Sequence, residues 1–310
     1  MAKRGPGKSH REGISIIELG DMFPTEEAAV KWFERAVWGS ERCCSRCGSL
    51  DTHEVPNAKP MPYRCRDCKK YFSVRTGTVM ERSKVPVRKW VYAIYLDVTS
   101  LKGVASMKIY RDLKVTQKTA WFMQQRIREA FQTTGPAFSD PVEIDESYFG
   151  GLERNKHESK RQHAGRGAVG KTAVVGAKDR ASGRVAARVV DATDKPTLQG
   201  FVKDHAAKGA KVYTDEHGAY DGLSNREKVK HSVAEYVREQ AHTNGIESFW
   251  SMLKRAHKGT FHKLSAKHIQ RYVDELAARH NIRNMNTMRQ MEHVVALMVG
   301  KRLMYRDLIA

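Results

Sequence analysis

Four cysteines in two C-x-x-C pairs place the strongest constraint on how this chain can fold. The pairs are Cys44 with Cys47 and Cys65 with Cys68, and seventeen residues separate the two pairs. Each pair can present two thiolates from a tight turn, and four sulfurs complete a tetrahedron around Zn²⁺ with no position left open for chemistry. We therefore predict a structural Zn²⁺ site with these four ligands, inside a zinc ribbon over residues 41–82.

Two disulfides are the alternative interpretation of the same four cysteines. Disulfides need an oxidising compartment, and the basic N-terminus has no apolar stretch behind it that would form a secretory signal. The longest apolar run is also too short to span a bilayer. We therefore expect a soluble cytoplasmic protein with reduced thiols and no membrane partner. Cys43 is a spare thiol, since Cys44 gives the two-residue spacing.

The charge of the chain indicates a polyanionic partner. The formal net charge is +20, and residues 41–135 hold 19 basic against 8 acidic side chains. Residues 140–146 depart from this pattern because four of these seven positions are acidic. A basic protein with one acidic cluster suggests nucleic acid together with a divalent metal. A merely solvated cationic surface is the alternative.

Residues 83–135 show the pattern of a helix-turn-helix. Apolar residues recur at helical spacing over residues 88–98, and two further helices follow, with Ser100 and Thr116 as candidate N-caps. A short helix, a short turn and a capped helix are typical of DNA-reading units, although any small helical bundle would look similar. The residues that we expect to contact bases or phosphates are Gln117, Lys118, Thr119, Arg126 and Arg128.

Beyond residue 135 the pattern changes to strands. We predict strands over residues 142–149, 172–178 and 183–190, a helix over 197–207, a strand over 211–214, a strand near 229–236, and closing helices. Three consecutive strands, a crossover helix and a fourth strand follow the order of the ribonuclease H-like fold. The predicted class is therefore α/β, a mixed sheet with helices on both faces.

Three acids fall at positions where this fold would bring them together. Asp145 lies in the first strand, Asp215 ends the fourth strand, and Glu247 lies near the start of a helix on a polar stripe that also holds Asn244 and Lys254. Converging carboxylates repel unless they bind a hard cation such as Mg²⁺ or Mn²⁺. Two such ions can drive in-line displacement on a phosphodiester. Taken singly, an Asp at a strand end is as well explained as a cap or turn former.

Three segments resemble the core motifs of a known family. They are residues 142–151 (VEIDESYFGG), 212–220 (VYTDEHGAY) and 242–254 (HTNGIESFWSMLK). All three resemble bacterial insertion-sequence DDE transposases, specifically the 1595 insertion-sequence family (ISXO-two-like). The upstream segments are similar to the zinc ribbon and helix-turn-helix of that family, and they are residues 65–68 (CRDC), 72–78 (FSVRTGT) and 118–128 (KTAWFMQQRIR). The resemblance covers roughly residues 25–285.

The resemblance implies roles for individual residues. Asp145, Asp215 and Glu247 would be the catalytic, metal-binding acids, and Lys254 would contact transposon-end DNA. Asn244 would be a further ligand or a hydrogen-bonding helper, because some relatives are described with Asn as the third member. In the first cysteine turn, Ser45 stands where Pro is more usual, which alters the turn but not the number of ligands.

The activity implied is DNA transposition. The front half would bind terminal inverted repeats, and the acidic core would cleave and then join DNA strands with Mg²⁺. The partners would be double-stranded transposon ends and target DNA, and holding two ends requires at least a homodimer on DNA in the bacterial nucleoid. Two alternatives stay open: a non-catalytic zinc-ribbon/helix-turn-helix regulator, and a ribonuclease H-like nuclease without strand transfer.

The predicted division of the chain has five parts. In order they are an N-terminal tail and helix over 1–40, the zinc ribbon over 41–82, the helix-turn-helix over 83–135, the catalytic core over 136–285, and a C-terminal helical tail over 286–310. Within the core, residues 151–171 are a basic loop that includes Arg161 and Arg166. We expect this loop to order on DNA, and a plain disordered insertion is the alternative.

Overall fold

The chain forms two compact units. A computed structural model describes residues 13–132, 135, 137–139, 141–151, 157–161, 169–229 and 243–310. The first unit comprises residues 1–132 together with 282–310, and the second comprises residues 133–281. No helix within the described ranges is long and apolar enough to cross a membrane.

Ten helices and eight strands build the described part of the two units. The helices are α1 (Ile16–Met22), α2 (Glu26–Trp38), α3 (Val87–Thr99), α4 (Ser106–Leu113), α5 (Gln117–Phe131), α6 (Lys195–His205), α7 (Asn244–Ala256), α8 (Ile269–Asn281), α9 (Thr287–Leu297) and α10 (Tyr305–Ile309). The strands are β1 (Thr52–Glu54), β2 (Tyr63–Cys65), β3 (Tyr71–Phe72), β4 (Val142–Phe149), β5 (Thr172–Asp179), β6 (Val185–Val190), β7 (Val212–Thr214) and β8 (Arg226–Lys228).

The helix-turn-helix pattern corresponds to α4, a turn over residues 114–116, and α5. Thr116 caps α5 as predicted, because its hydroxyl oxygen accepts a hydrogen bond from the backbone N–H of Thr119 at 3.1 Å. The prediction for Ser100 was wrong. Ser100 ends α3, where its N–H bonds to the carbonyl of Leu96, and α4 begins six residues later at Ser106. Gly103 takes a positive φ of 83° in the intervening turn, which interrupts the helical path.

The C-terminal segment belongs to the first unit. Helix α9 packs against α2, α3 and α5, and its buried side chains include Met291 and Val294. After α9 the chain runs back along the segment that follows the zinc ribbon. Thr78 and Val299 form an antiparallel bridge, and the N–H of Gly300 bonds to the carbonyl of Gly77 at 2.8 Å. The two ends of the chain therefore build one unit.

The zinc ribbon is a three-stranded antiparallel sheet in the order β1-β2-β3. Its apolar core is small and consists of Tyr63 and Phe72 with two of the cysteines, and Trp38 of α2 packs against it. The three aromatic rings lie 5.6 to 5.9 Å apart. So little apolar surface stabilises a ribbon weakly, which is the reason such segments depend on a metal.

The second unit is built on a five-stranded sheet in the order β6-β5-β4-β7-β8. Strands β4, β5 and β6 pair antiparallel, whereas β7 is parallel to both β4 and β8. This is the ribonuclease H-like order, and the predicted α/β class is confirmed. Strand β4 has the predicted bounds. Strand β8 lies at Arg226–Lys228. The strand predicted near 229–236 falls almost entirely within residues 230–242, which lie outside the described ranges.

Both faces of this sheet are covered by helices. Val142, Ile144 and Val175 pack with α6 on one face. Phe149 and Val174 pack with α7 and α8 on the other. Side chains of successive strand residues point to opposite faces, so the alternation along β4 and β5 assigns each apolar residue to one of the two cores.

Candidate active site

Three carboxylates meet where β4 extends past the end of β7. The last residue pair between the two strands is Glu143 with Tyr213, and β7 ends at the next residue. Asp145 and Glu146 of β4 therefore lie beyond the shorter strand, and Asp215 follows that strand directly. Carboxylate oxygens of these three residues all lie within 4.8 Å of one another.

Burial and repulsion between carboxylates disfavour the charged forms of Asp145 and Glu146. Burial is the main cause that raises the pKa of Asp145 to about 6, and the charges of Asp215 and Glu247 add to it. Burial, followed by the charges of Asp215 and Asp145, raises the pKa of Glu146 to about 7. A divalent cation between the carboxylates would relieve this repulsion, so the donor set fits Mg²⁺ or Mn²⁺.

Each of the three carboxylates is held by a hydrogen-bond donor. The indole Nε1 of Trp250 donates to Asp145 Oδ2 at 3.0 Å. The buried hydroxyl of Tyr220 donates to Glu146 Oε1 in a short hydrogen bond. The backbone N–H of His217 donates to Asp215 Oδ1 at 3.0 Å. These donors orient the acids before any ligand is present, which limits the reorganisation that metal binding would need.

Glu143 of β4 is a buried acid two residues before Asp145, and it docks helix α7 against the sheet. Glu143 Oε2 accepts the backbone N–H of Ile246 at 2.9 Å, and Arg180 Nε donates to Glu143 Oε1 at 2.7 Å. A negative charge at a helix N-terminus is favourable because the first N–H groups lack partners inside the helix. Glu143 thus fixes where α7 begins, and so fixes the position of Glu247 one turn later.

Glu247 lies near the three-carboxylate cluster but is not part of it. Its charge raises the pKa of Asp145, and its Oε1 accepts a hydrogen bond from the Thr243 hydroxyl at 2.9 Å. Asn244 and Lys254 are exposed on the same helix. The predicted apolar stripe is confirmed, since it is buried over its whole length: Ile246, Phe249, Trp250 and Leu253.

Glu146 is the member of the cluster that the sequence analysis missed. Adjacent residues in a strand point to opposite faces, so Asp145 and Glu146 would not be expected to share a site. They do so because β7 ends early, and side chains from both faces reach the same space beyond it. The signal was present in the sequence as four acids within residues 140–146.

The four predicted zinc ligands lie together. Atoms of Cys44, Cys47, Cys65 and Cys68 fall within 4.8 Å of one another, and the closest sulfur pairs are 3.6 and 3.7 Å apart. None of them forms a disulfide, and Cys43 lies outside the cluster. Four thiolates at this spacing suit tetrahedral Zn²⁺, so the donor set fits the structural zinc that the sequence predicts.

The predicted DNA contacts of helix α5 divide into two groups. Gln117 and Lys118 are exposed at its N-terminus, and Thr119 is partly buried there. Arg126 and Arg128 are buried, so the prediction that they contact DNA is wrong. Arg126 donates to the backbone carbonyls of Leu303 and Glu81, both at 3.3 Å. These two arginines lie on the inner face of the helix, where they serve packing.

The basic loop is only partly described. Arg161 is exposed and follows a short helical turn over Glu158–Lys160. Arg166 lies outside the described residues. The expectation that this loop orders on DNA therefore stays a prediction.

Comparison with known proteins identifies both parts of the chain. Residues 137–281 match the ISXO2-like transposase domain, and residues 24–71 match the transposase zinc-ribbon domain. A protein of transposable element ISH50 from Halobacterium salinarum, itself uncharacterised, is 29% identical over 247 residues, which cover 75% of this chain and 83% of that protein.

The two matched ranges coincide with the mixed sheet of the second unit and with the segment that carries the zinc cysteines. The chain therefore carries the ISXO2-like transposase domain and the transposase zinc-ribbon domain of the family that its motifs resemble.

Proposed function

We propose that this protein binds the terminal inverted repeats of an insertion sequence and catalyses Mg²⁺-dependent DNA strand cleavage and strand transfer. The observation that carries the proposal is the meeting of Asp145, Glu146 and Asp215 beyond the end of β7, inside the domain that matches ISXO2-like transposases. Carboxylates this close need a cation, and a phosphodiester supplies the remaining oxygen ligands.

Asp145 and Asp215 would hold the metal between them. We assign the third catalytic acid to Glu247, as the resemblance implies, and we add Glu146 as a further carboxylate of the cluster. When bound, the divalent ion would activate the attacking water or 3′ hydroxyl and stabilise the leaving oxygen. Trp250 and Tyr220 would keep the oxygens of Asp145 and Glu146 in place during the reaction.

Lys254 and Asn244 suit contacts with the DNA that enters this site. Both are exposed on α7, on the stripe that carries Glu247. An ammonium about two turns beyond a catalytic carboxylate can neutralise a phosphate next to the reacting bond. We infer that Lys254 positions the transposon end and that Asn244 assists Glu247.

The front half of the chain would supply recognition. We propose that Gln117 reads base edges, with Lys118 and Thr119 on adjacent phosphates, while the zinc ribbon binds alongside. Two ends must be held at once for joining, so we expect a homodimer or a higher oligomer on DNA. Action on chromosomal DNA places the protein in the cytoplasm, at the nucleoid.

A strand-transfer assay tests the proposal. The substrate is a labelled duplex that carries the end of the element surrounding the gene, incubated with a supercoiled plasmid and Mg²⁺ or EDTA. Asp145→Asn and Glu247→Gln proteins are the catalytic variants, and each is first shown to bind the duplex. We expect joined products with the wild type and Mg²⁺ only, and none with either variant.

Other outcomes separate the alternatives. Cleavage without joining favours a ribonuclease H-like nuclease, and binding with no chemistry under any divalent ion favours a regulator. Loss in Asp145→Asn with full activity in Glu247→Gln moves the third position to Glu146 or Asn244, which Glu146→Gln and Asn244→Ala then distinguish.

A further inference from the structure

An arginine-lined cleft lies in the first unit. It has a volume of about 320 Å³ and is bounded by the first cysteine turn, by residues 73–83 and by the C-terminal segment. Arg46, Arg75, Arg82 and Arg302 line it, and Glu81 is the acid among its lining residues. Four guanidinium groups against one carboxylate leave the cleft strongly positive.

Three of these arginines are directed to solvent. Arg75 is engaged within the protein, where it donates to the carbonyl of Ser83 at 2.7 Å and pairs with Glu26 at 3.4 Å. Arg46, Arg82 and Arg302 are exposed, and among the ion pairs of the described residues none includes them. The side chain of Arg46 is steadied by a hydrogen bond from its Nε to the carbonyl of Tyr71 at 3.5 Å.

Next to this cleft, the first cysteine turn and the C-terminal segment both meet Gly77, the neighbour of the lining residue Thr76. Gly77 has a φ of 70°, and a Cβ there would lie 3.1 Å from the carbonyl oxygen of Ser45, so the first cysteine turn packs directly on it. The carbonyl of Gly77 also receives the N–H of Gly300. Lys301 then anchors the segment by donating to the carbonyls of Ala130 and Gln132 at the end of α5. Arg302 is thereby placed beside the zinc ribbon.

Positive charges outnumber negative ones here, because Glu81 is the acid among the lining residues of a cleft with four arginines. Arg302 lies close enough to buried Arg126 to contribute, after burial itself, to lowering the pKa of Arg126 to about 10. A second cleft of about 380 Å³ adjoins the first and shares Thr76, Glu81 and Arg302 with it. Arg302 therefore lines both clefts.

We propose that Arg46, Arg82 and Arg302 bind phosphate groups of the DNA backbone in this cleft. Guanidinium groups match phosphate oxygens in planar, paired hydrogen bonds, and exposed arginines make such contacts without first breaking an ion pair. The contact carries no sequence information and would set the register of the zinc ribbon on the duplex. The inference rests on the proposed function in taking DNA as the source of the phosphates.

Salt-dependent DNA binding by the full-length, zinc-loaded protein tests this assignment. The probe is a fluorescent 30-base-pair duplex of random sequence, titrated by anisotropy between 50 and 300 mM KCl, about the range in which such contacts are lost. The variants are Arg46→Gln, Arg82→Gln, Arg302→Gln and the triple change. Arg289→Gln is the matched control, because Arg289 is exposed on α9 of the same unit and outside both clefts. Zinc content and thermal unfolding verify that each variant is intact.

We expect each cleft substitution to reduce the slope of log K against log[salt] by about 0.9, and the triple change to reduce it by about 2.7. The triple variant should bind at least about tenfold more weakly at 100 mM KCl, whereas Arg289→Gln should match the wild type. Slopes that are unchanged in intact cleft variants, or lowered equally by Arg289→Gln, would overturn the assignment while leaving the proposed function intact.

Inorganic phosphate distinguishes the two sources of the ligand. Calorimetric titration of the wild type with phosphate at constant ionic strength should give no saturable heat below about 10 mM, because one isolated anion replaces only a part of the DNA contact. Saturable phosphate binding that the triple variant loses, with DNA binding unaffected, would make the cleft a free-anion site and contradict the proposal. A wild type that binds no DNA at all would instead defeat the proposed function.

Discussion

Trp250 Nε1 donates a hydrogen bond to Asp145 Oδ2 at 3.0 Å and so connects helix α7 to the first acid of the candidate active site. Gly176 of β5 pairs with Asp145 and has no side chain, which leaves room for the indole ring over the sheet. The same helix carries Glu247. Docking of α7 therefore fixes both the orientation of Asp145 and the distance at which Glu247 acts on it.

Trp250→Phe should impair the reaction more than the fold. The change keeps an aromatic ring but removes the donor to a partly buried carboxylate, a hydrogen bond worth about 1.5–3 kcal/mol, or about 10- to 100-fold in rate at limiting Mg²⁺. Single-turnover cleavage measured against Mg²⁺ concentration checks this. Trp90→Phe is the control, since Trp90 is buried in the first unit. Equal losses in both variants would mean that ring volume matters and the hydrogen bond does not.

Gly176→Ala should separate α7 from the sheet. A Cβ at residue 176 would lie 2.6 Å from Trp250 Cζ2 and 3.1 Å from Ile246 Cδ1, so the helix must move or the strand must bend. We expect a loss of about 1–3 kcal/mol in the free energy of unfolding and a marked drop in cleavage. Urea denaturation measures the first quantity. Gly200→Ala in α6 meets no atom within 4 Å and should stabilise the protein by about 0.5–1 kcal/mol.

Cys43 and Cys44 offer a matched pair for testing the zinc site. Cys44 lies in the four-sulfur cluster, whereas its neighbour Cys43 does not. Cys44→Ser should lose bound zinc and unfold the ribbon, because metal binding supplies on the order of 10 kcal/mol to a segment with a small apolar core. Cys43→Ser should keep one zinc per chain. Atomic absorption measures the bound zinc, and hydrogen exchange of residues 44–72 measures unfolding of the ribbon. Zinc retained by the Cys44→Ser protein would refute the ligand assignment.

Recognition by α5 should separate into specific and non-specific parts. Gln117→Ala should lower the preference for the transposon end over random duplex by about 1–3 kcal/mol if Gln117 reads a base. Lys118→Gln should weaken binding to both duplexes and lower the salt slope by about 0.9. Competition binding on the two duplexes measures these quantities. Identical effects of both changes on both duplexes would exclude α5 as the reading helix. Arg126 is buried, so we expect Arg126→Gln to lower the stability of the protein and not to act on DNA binding directly.

Much of the fold and of the two sites was predictable because the signals are local. Strand β4 follows from the alternation of Val142 and Ile144 with polar residues, and the buried stripe of α7 follows from the helical period. The choice of Cys44 over Cys43 follows from the spacing within a C-x-x-C turn. In each case the residues that determine the outcome lie within one element, where periodicity or spacing is enough.

The parts that were missed depend on where separate elements end or meet. Glu146 joins Asp145 because β7 is short, and the length of one strand is not visible in the sequence of another. Arg126 and Arg128 carry the charge expected of DNA contacts, but they lie on the inner face of α5. The C-terminal segment packs on that face, as the hydrogen bond from Arg126 to the carbonyl of Leu303 shows. Long-range packing overrode side-chain type at these positions.

A sulfur substitution at the reacting bond tests the central claim most directly. The transposon-end duplex is made with sulfur in place of the 3′ leaving oxygen, and single-turnover cleavage is measured with Mg²⁺ and with the softer Mn²⁺. If a metal held by Asp145, Asp215 and Glu247 contacts that atom, sulfur should slow the Mg²⁺ reaction strongly and Mn²⁺ should restore it, because softer cations accept sulfur more readily. Equal slowing with both metals would contradict metal contact at the leaving oxygen. It would also contradict the metal-binding role assigned to Asp145, Asp215 and Glu247.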